Sequence, residues 1–419
     1  MLDRTVAAEH GKQVATHLYG QEINAETYAI CKADLLLKGE GDAADNIVGG
    51  PEHSTLANDA FPSREFDFML SNPPYGKSWK SDLERMGGKG GVKDPRFVIE
   101  HAGDPEYALL TRSSDGQMLF LANMLSKMKR GTRLGSRIAT VHNGSSLFTG
   151  DAGQGESNIR RWIIENDWLE AIVALPLNMF YNTGIATYIW VLTNRKPVHR
   201  QGKVQLIDAT RWYKPLRKNL GKKNCELSEA DITRICDTFL KFEDTEQSKL
   251  FPNAAFGYSK VTVERPLRLK GIDPERVYSP KEIKSLKETA ARADDAPPVT
   301  RKIHKKGIEA DPLRGFFEAT IAGKPAVVEY EPDPELRDTE QVPLLEDGGI
   351  EAFIRREVLP HAPDAWYVAD SVKTGYEISF TRYFYKPQQL RTLEEIRADI
   401  LALEKETEGL LGEIIGGKS

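Results

Sequence analysis

Four consecutive residues, Asn72, Pro73, Pro74 and Tyr75, combine backbone and side-chain groups that could act together on one substrate atom. One residue, Ser71, separates them from the short apolar run 66–70 (FDFML), which is typical of a strand buried on both faces. Ligands of doubly wound folds bind at the carboxyl ends of strands, so a site is expected at this position. A proline-rigid turn capped by Asn72 is the alternative interpretation. The position of the tetrapeptide after a buried strand favours the interpretation as a functional site.

The tetrapeptide suits methylation of an exocyclic amino group such as N6 of adenine. That nitrogen is a poor nucleophile, because its lone pair is delocalised into the ring. The Asn72 side-chain oxygen and the Pro73 carbonyl can accept both amine hydrogens, which directs the lone pair at a methyl donor. Pro73 and Pro74 hold the backbone so that both acceptors converge, and Tyr75 offers a flat face to a base taken out of the stack.

The surrounding sequence alternates strand-like and helix-like segments, as expected of the elements that would position such a site. Apolar runs predict strands at 16–20, 66–70, 137–141, 169–175, 187–192 and 204–207. Helical spacing predicts helices at 25–39, with Asn24 as N-cap and Gly39 as its end, at 117–130 and at 157–166. Buried strands that alternate with helices predict an α/β fold with a doubly wound sheet.

The amino-acid composition is that of a soluble globular protein. The chain has 419 residues, enough for two or three domains, and its 40% hydrophobic and 28% charged residues are typical of a soluble globular protein. Its first residues form no apolar signal core, and we expect a cytoplasmic protein. Three cysteines and eight histidines show no metal-ligand spacing, so no metal is expected.

A basic segment lies at 211–223 (RWYKPLRKNLGKK), where six basic residues occur without an acidic one. The whole chain carries a net charge of −5, so DNA binding would require a local basic face of this kind. A solvated loop with no partner is an equally good interpretation of the segment.

After residue 213 the predicted segments become shorter and more charged. We therefore predict three regions: a partial catalytic domain at 1–213, a mixed region at 214–385 and a terminal helix at 386–419. The mixed region is expected to contain exposed linkers at 294–306 and 325–343. The terminal helix should begin after Pro387. Its apolar residues alternate spacings of three and four, which predicts a heptad seam made of Leu393, Ile396, Ile400, Leu403, Thr407, Leu410 and Ile414.

Longer stretches of the chain resemble one known family, the modification (methyltransferase) subunits of type I restriction-modification systems. The resemblance rests on LYGQEINAETYAICKADLLLKGE, FDFMLSNPPYGKSWK, SDGQMLFLANMLSKM and the long stretch GSRIATVHNGSSLFTGDAGQGESNIRRWIIENDWLEAIVALPLNMFYNTGIATYIWVLTNRKP. Further similarity lies in GKVQLIDAT, VTVERPLRL and GYEISFTRYFYKPQQLRTLEEIRADILALE, so it covers most of the chain.

The resemblance implies a Rossmann-like sheet that uses S-adenosyl-L-methionine to methylate N6 of adenine in double-stranded DNA. It also implies three protein partners: a DNA-specificity subunit bound through the C-terminal helix, a restriction subunit and a second methyltransferase copy. Because the separate specificity subunit reads the DNA in this family, the recognised sequence cannot be inferred from this chain.

Glu22, in YGQEIN, matches the family's acid that binds the ribose hydroxyls of the cofactor. The same acid would also favour the positive N-terminus of the helix that follows it. Phe180 and Tyr181 are weaker candidates for the opposite wall of the base pocket, since an aromatic residue before a buried strand often belongs to the core. The loop 150–157 (GDAGQGES) lacks the Lys-Ser/Thr ending of a phosphate-binding loop, and we interpret it as a mobile loop.

The chain departs from the family pattern in two places. No Gly-rich cofactor loop precedes Thr16, and no acid or Asn that contacts the cofactor adenine can be aligned between Asn46 and Asp59. We therefore expect a methyltransferase subunit short of its N-terminal part, which alone would bind S-adenosylmethionine poorly. Two alternatives follow: a catalytically silent assembly piece of the same complex, and a protein-glutamine methyltransferase, whose amide substrate presents the same problem to an NPPY motif.

Overall fold

The computed structural model describes residues 16–181, 183–304, 307–385 and 392–416. The chain divides between Phe380 and Thr381 into two compact units. In the described part of the chain, no helix is long and apolar enough to cross a membrane.

Strands occur along most of the first unit. In chain order they are β1 (Gly20–Glu22), β2 (Ile47–Gly49), β3 (Phe68–Ser71), β4 (Val98–His101), β5 (Asp104–Ala108), β6 (Arg137–Asn143), β7 (Leu169–Ala174), β8 (Thr187–Thr193), β9 (Lys203–Asp208), β10 (Lys214–Leu220), β11 (Lys223–Glu226), β12 (Ser248–Pro252), β13 (Gly257–Glu264), β14 (Thr300–His304), β15 (Phe317–Ile321), β16 (Lys324–Tyr330), β17 (Asp338–Pro343) and β18 (Trp366–Tyr376).

Helices alternate with these strands in the first part of the chain. They are α1 (Ala25–Leu37), α2 (Gly41–Asp45), α3 (Lys80–Arg85), α4 (Gln117–Ser126), α5 (Ser145–Phe148), α6 (Gly155–Glu165), α7 (Glu229–Lys241), α8 (Pro280–Thr289), α9 (Gly349–Phe353), α10 (Phe380–Phe384) and α11 (Leu393–Gly416). Short 3₁₀ turns and one π turn lie at Val198–Arg200, Asn253–Phe256, Pro312–Arg314 and Ile354–Val358.

The central sheet has six strands in the order β12-β9-β7-β8-β6-β3. Strands β3, β6, β7 and β9 run in one direction, and β8 and β12 run against them. The four strands of common direction therefore end at one edge of the sheet, at Ser71, Asn143, Ala174 and Asp208. The predicted α/β class is confirmed. The sheet is mixed, because β8 inserts between β6 and β7.

One face of this sheet carries α4, which packs on β6, and α6 packs on α4. Helix α4 buries residues on all sides, including Leu119, Leu121 and Leu125, because it lies between β6 and α6. Helix α6 is amphipathic and buries Ile159 and Ile163 against the same core. Full burial of each such side chain contributes about 1.5–3 kcal/mol.

The opposite face is covered only in part. Ile235 and Phe239 of α7 pack on a cluster that contains Val173, Ile207 and Trp212. At the far edge, Phe68 and Leu70 of β3 are 71% and 84% exposed. The prediction that β3 is buried on both faces is wrong, since alternate side chains point to opposite faces and none of the described elements covers this one.

A second, two-stranded parallel sheet pairs β1 with β2. Helix α1 follows β1 and has the predicted cap, because the Asn24 side chain accepts a hydrogen bond from Thr27 N at 2.9 Å. The helix ends before Gly39, whose φ of +76° is easily adopted only by glycine. This predicted helix is confirmed.

The later part of the first unit contains two more antiparallel sheets, β17-β13-β18 and β14-β16-β15. The prediction of an exposed linker at 294–306 is wrong, since this segment contains β14 and its Val299 is fully buried. The predicted linker at 325–343 likewise contains most of β16 and all of β17. Local composition missed these strands because they form by pairing with strands elsewhere in the chain. The boundary at residue 213 stays a prediction, although β12 joins the central sheet beyond it.

The second unit contains α11, which spans Leu393–Gly416. Residues 386–391, where the helix was predicted to begin, lie outside the described residues. The seam residues Leu393, Ile400 and Leu403 are exposed, with 59% of Ile400 and 62% of Leu403 accessible to solvent. The helix therefore presents an apolar stripe to solvent, and its role as a heptad seam stays a prediction.

Candidate active site

The Asn-Pro-Pro-Tyr tetrapeptide begins directly after Ser71, the last residue of β3. It lies at the edge where β6, β7 and β9 also end. Pro73 is buried and Tyr75 is half-buried, while Asn72 and Pro74 are exposed. The fixed φ of the two prolines and the burial of Pro73 hold this short turn in place. Asn72 therefore faces solvent from a rigid backbone, as a substrate-binding amide requires.

Asn72 and Tyr75 contact each other within this turn. The Tyr75 hydroxyl donates a hydrogen bond to Asn72 Oδ1. Burial raises the pKa of Tyr75, so the hydroxyl stays protonated and remains a donor at neutral pH. An amide oxygen has two lone pairs, so Asn72 Oδ1 can still accept one hydrogen from a substrate amine. The bond orients the Asn72 amide for that purpose.

The chain after the tetrapeptide is anchored by Trp79. Its indole Nε1 donates to the Arg112 carbonyl at 2.9 Å, and its backbone N–H donates to the Ser113 carbonyl at 3.0 Å. Gly116 lies against the indole, since a Cβ there would come within 3.2 Å of Trp79 Cδ1. These contacts fasten the site loop to the turn that precedes α4.

A polar network continues from that turn to the end of β6. Gln117 Nε2 donates to Asp115 Oδ2 and to Asn143 Oδ1, both at 2.8 Å. Gln117 Oε1 accepts from the Asn143 backbone N–H at 3.1 Å. Sequence reasoning missed this network. The available signal was a Gln at the start of an apolar helix and an Asn at the end of a strand.

His142 lies beside this network but on the buried face of β6. Its Nε2 lies 3.1 Å from Thr140 Oγ1, and its ring packs near Trp190. Burial lowers the pKa of His142 to about 3, so the imidazole is neutral at physiological pH. We assign it to the core rather than to proton transfer.

This burial predicts a pH-dependent stability. The pKa of His142 is about 3 when folded and 6.5 when unfolded, so between these values the unfolded chain binds the extra proton. Acidification from about pH 7 to pH 5 should therefore remove about 2 kcal/mol of unfolding free energy through this group. In the His142→Phe variant, the part of the decrease in unfolding free energy that comes from this group should be absent. Urea unfolding of both proteins at the two pH values measures it, and parallel pH profiles would contradict the assignment.

Glu22, the candidate cofactor ligand, is the last residue of β1. Its Oε1 accepts a hydrogen bond from Asn24 N at 2.7 Å, so the carboxylate does lie at the start of α1. Its Oε2 has no hydrogen-bond partner among the described residues and can accept a ribose hydroxyl. The chemistry of Glu22 therefore fits the ribose of S-adenosylmethionine. No hydrogen bond joins Glu22 to the tetrapeptide within the described ranges, and the two belong to different sheets.

The segment after β2 offers no residue that aligns with the family's contact to the cofactor adenine, and it is held by side chains that the sequence did not reveal. Gln21 Nε2 donates to the Asn58 carbonyl at 2.7 Å, and its Oε1 accepts from Ala60 N at 3.1 Å. Lys127 Nζ lies 2.5 Å from Asp59 Oδ2, and this ion pair is almost completely buried. The segment is thus firmly attached to β1 and to the end of α4.

The two aromatic candidates for the opposite wall have different surroundings. Phe180 packs on the hydrophobic cluster beside β7, which agrees with a core role. Tyr181 is 62% exposed, and Lys223 Nζ lies 5.1 Å from the centre of its ring. No described hydrogen bond connects either residue to the tetrapeptide.

The loop 150–157 leads into α6 and packs against neighbouring residues. Ala152 is buried, and the fully buried Arg160 donates to the Gly150 carbonyl at 3.3 Å. The first turn of α6 already contains the buried carboxylate of Glu156, whose Oε1 accepts from Arg112 N at 3.1 Å. A phosphate is therefore disfavoured there by like charge.

Comparison with known proteins identifies the family to which this chain belongs. The N-6 DNA methylase family model matches residues 1–263 of the 419, and the chain belongs to that family. The resemblance stated from the sequence is confirmed.

Among curated proteins, the type I restriction enzyme MjaIX methylase subunit of Methanocaldococcus jannaschii is 27% identical over 246 residues, 58% of this chain and 39% of that protein. The MpnII methylase subunit of Mycoplasma pneumoniae is 28% identical over 226 residues, 53% of this chain and 37% of that protein. This chain thus matches less than half the length of either relative.

Among solved structures, the type I restriction-modification methyltransferase subunit from Streptococcus thermophilus has a TM-score of 0.45 and 24% identity. That match covers 57% of this chain and 46% of the other.

Proposed function

We propose that this chain is the catalytic part of a site-specific DNA adenine N6-methyltransferase subunit of a type I restriction-modification system. The observation that supports it most is the Asn-Pro-Pro-Tyr turn at the carboxyl end of β3, in a chain of the N-6 DNA methylase family. Its substrate would be an adenine turned out of double-stranded DNA, since the target amine cannot reach a turn of this kind inside the duplex.

In this proposal Asn72 Oδ1 and the Pro73 carbonyl accept the two hydrogens of N6. The Asn72–Tyr75 hydrogen bond and the buried Pro73 fix these acceptors before the base arrives, so little reorganisation is needed. The Tyr75 ring stacks on the base. S-adenosylmethionine, when bound, supplies an electrophilic methyl group, and Glu22 would hold its ribose through Oε2. The amine proton leaves after transfer, so the site needs neither a strong base nor a metal.

DNA is a better-supported substrate than protein glutamine. The curated relatives are named as methylase subunits of type I restriction enzymes. We propose the corresponding partners: a DNA-specificity subunit, a restriction subunit and a second methyltransferase copy. We also propose that the complex acts in the cytoplasm.

The proposal is tested by the acceptor of the methyl group. The complete enzyme, in which this chain is joined to the family's Gly-rich cofactor loop and bound to a DNA-specificity subunit, is incubated with methyl-labelled S-adenosylmethionine and either duplex DNA or a glutamine-containing protein. We expect label in the DNA alone. Label only in the protein would favour glutamine methylation, and no transfer at all would favour a silent assembly piece.

A further inference from the structure

Strands β10 and β11 form a hairpin that leaves the same edge of the sheet as the Asn-Pro-Pro-Tyr turn. Strand β9 ends at Asp208 on that edge, and the chain continues almost directly into β10. The hairpin pairs Lys214 with Glu226 and Leu220 with Lys223 in antiparallel register. We call residues 211–226 the basic hairpin.

The root of the basic hairpin is rigid. Trp212 is buried in the cluster beside β7 and β9, and the guanidinium of Arg234 lies 4.3 Å from the centre of its ring. On the returning strand, Cys225 is buried and its Sγ donates to the Leu177 carbonyl at 3.2 Å. Asn224 N donates to the Asn178 carbonyl at 3.1 Å. Both strands are thus fixed to the sheet edge, while the tip extends into solvent.

The basic hairpin is strongly positive, and no ion pair within the described ranges neutralises its basic side chains. Five of its six basic side chains are exposed, and Lys223 is half-buried beside Tyr181. In the described ranges none of the six forms an ion pair: Arg211, Lys214, Arg217, Lys218, Lys222 and Lys223. Lys196, by contrast, pairs with Asp167 at 2.6 Å. A rigid cationic projection on a chain with net charge −5 is suited to a polyanion.

We propose that the basic hairpin contacts the phosphate backbone of duplex DNA beside the target adenine. This inference rests on the proposed function and extends it to a specific surface. Four strand spacings of about 4.8 Å separate β9 from β3, or about 19 Å along the sheet edge. That distance corresponds to five or six base pairs at about 3.4 Å each, so one duplex can reach the turn and the hairpin together. Phosphate contacts of this kind position the DNA without reading its sequence.

The test removes three charges from the tip, as Arg217→Gln, Lys218→Gln and Lys222→Gln together. The matched control removes three exposed lysines outside the hairpin, as Lys270→Gln, Lys281→Gln and Lys284→Gln; the last two lie on α8, whose surface also carries acids. Binding of each protein to a labelled duplex of about 30 base pairs is followed by fluorescence anisotropy between about 50 and 200 mM salt. Circular dichroism and thermal unfolding establish that both variants are folded.

We expect the hairpin variant to bind at least about tenfold more weakly at low salt. Its slope of log K against log salt should be less steep by about 2–3, while the control stays within about twofold of the wild type. Equal affinity of hairpin variant and wild type, an equal loss in the control, or no duplex binding by the wild type would each overturn the proposal. So would loss of an acidic protein partner with unchanged duplex binding. The readout is binding alone, so it is independent of whether methyl transfer to adenine is observed.

Discussion

Asn72→Ala should lower the rate of methyl transfer to adenine by about 10²–10³-fold, the usual cost of removing one preorganised hydrogen-bond partner of a reacting group. The substitution leaves the Pro73 carbonyl as the single acceptor for the N6 hydrogens. Asn72 is exposed and makes no packing contact that the fold needs, so thermal unfolding should be nearly unchanged. Single-turnover methylation by the complex with its specificity subunit measures the effect.

Tyr75 provides the matched pair of variants for the same site. Tyr75→Ala removes the stacking face, worth about 1–3 kcal/mol for a base on an aromatic ring, and should strongly lower methylation. Tyr75→Phe keeps the ring and loses only the hydrogen bond that orients Asn72, so it should lose clearly less activity than Tyr75→Ala. Wild-type rates in Asn72→Ala, or equal losses in the two Tyr75 variants, would show that the roles assigned here are wrong.

Charged substitutions on the seam of α11 should have the second large effect, on association with the DNA-specificity subunit. Ile400→Glu with Leu403→Glu should abolish stable association with the DNA-specificity subunit. Both side chains are exposed on the seam, and a helix of this length is marginal in water unless its apolar stripe is packed. Burial of each contributes about 1.5–3 kcal/mol, so the pair of charges should weaken the complex by about a thousandfold or more. Co-purification and a titration of the subunits give the affinity.

The matched control places the same charges off the seam, as Ala398→Glu with Ala402→Glu. Both alanines are exposed on α11 and lie outside the three–four pattern. The control should bind the specificity subunit nearly as well as the wild type. Unchanged affinity of the seam variant would show that the seam is not the interface, and insolubility of that variant alone would favour a helix packed on its own domain.

Local sequence patterns were sufficient to predict many of the helices and strands of the fold. The Asn24 cap and Gly39 bracket α1, because capping depends on neighbours within a few residues. Continuous apolar runs predicted β6 to β9 within one or two residues of their observed ends. The place of the tetrapeptide at a strand end could also be predicted, since it depends only on β3 and the residues after it.

Contacts between distant segments could not be predicted in the same way. The Trp79 anchor and the Gln117–Asn143 network join residues more than twenty-five positions apart, and neither end has an unusual local pattern. The same limit explains the error at β3, whose apolar composition gave no sign that Phe68 and Leu70 are exposed. It also explains the strand missed within 294–306, because β14 pairs with β16, more than twenty residues further along the chain.

The central claim is that the Asn72 turn methylates N6 of adenine in DNA. Nucleoside mass spectrometry of duplex DNA tests it most directly, after incubation with S-adenosylmethionine and the complete enzyme, in which this chain is joined to the family's Gly-rich cofactor loop and bound to a specificity subunit. The account predicts N6-methyladenine with the wild-type enzyme and almost none with Asn72→Ala. Methylation of another base, or equal N6-methyladenine from both proteins, would contradict it.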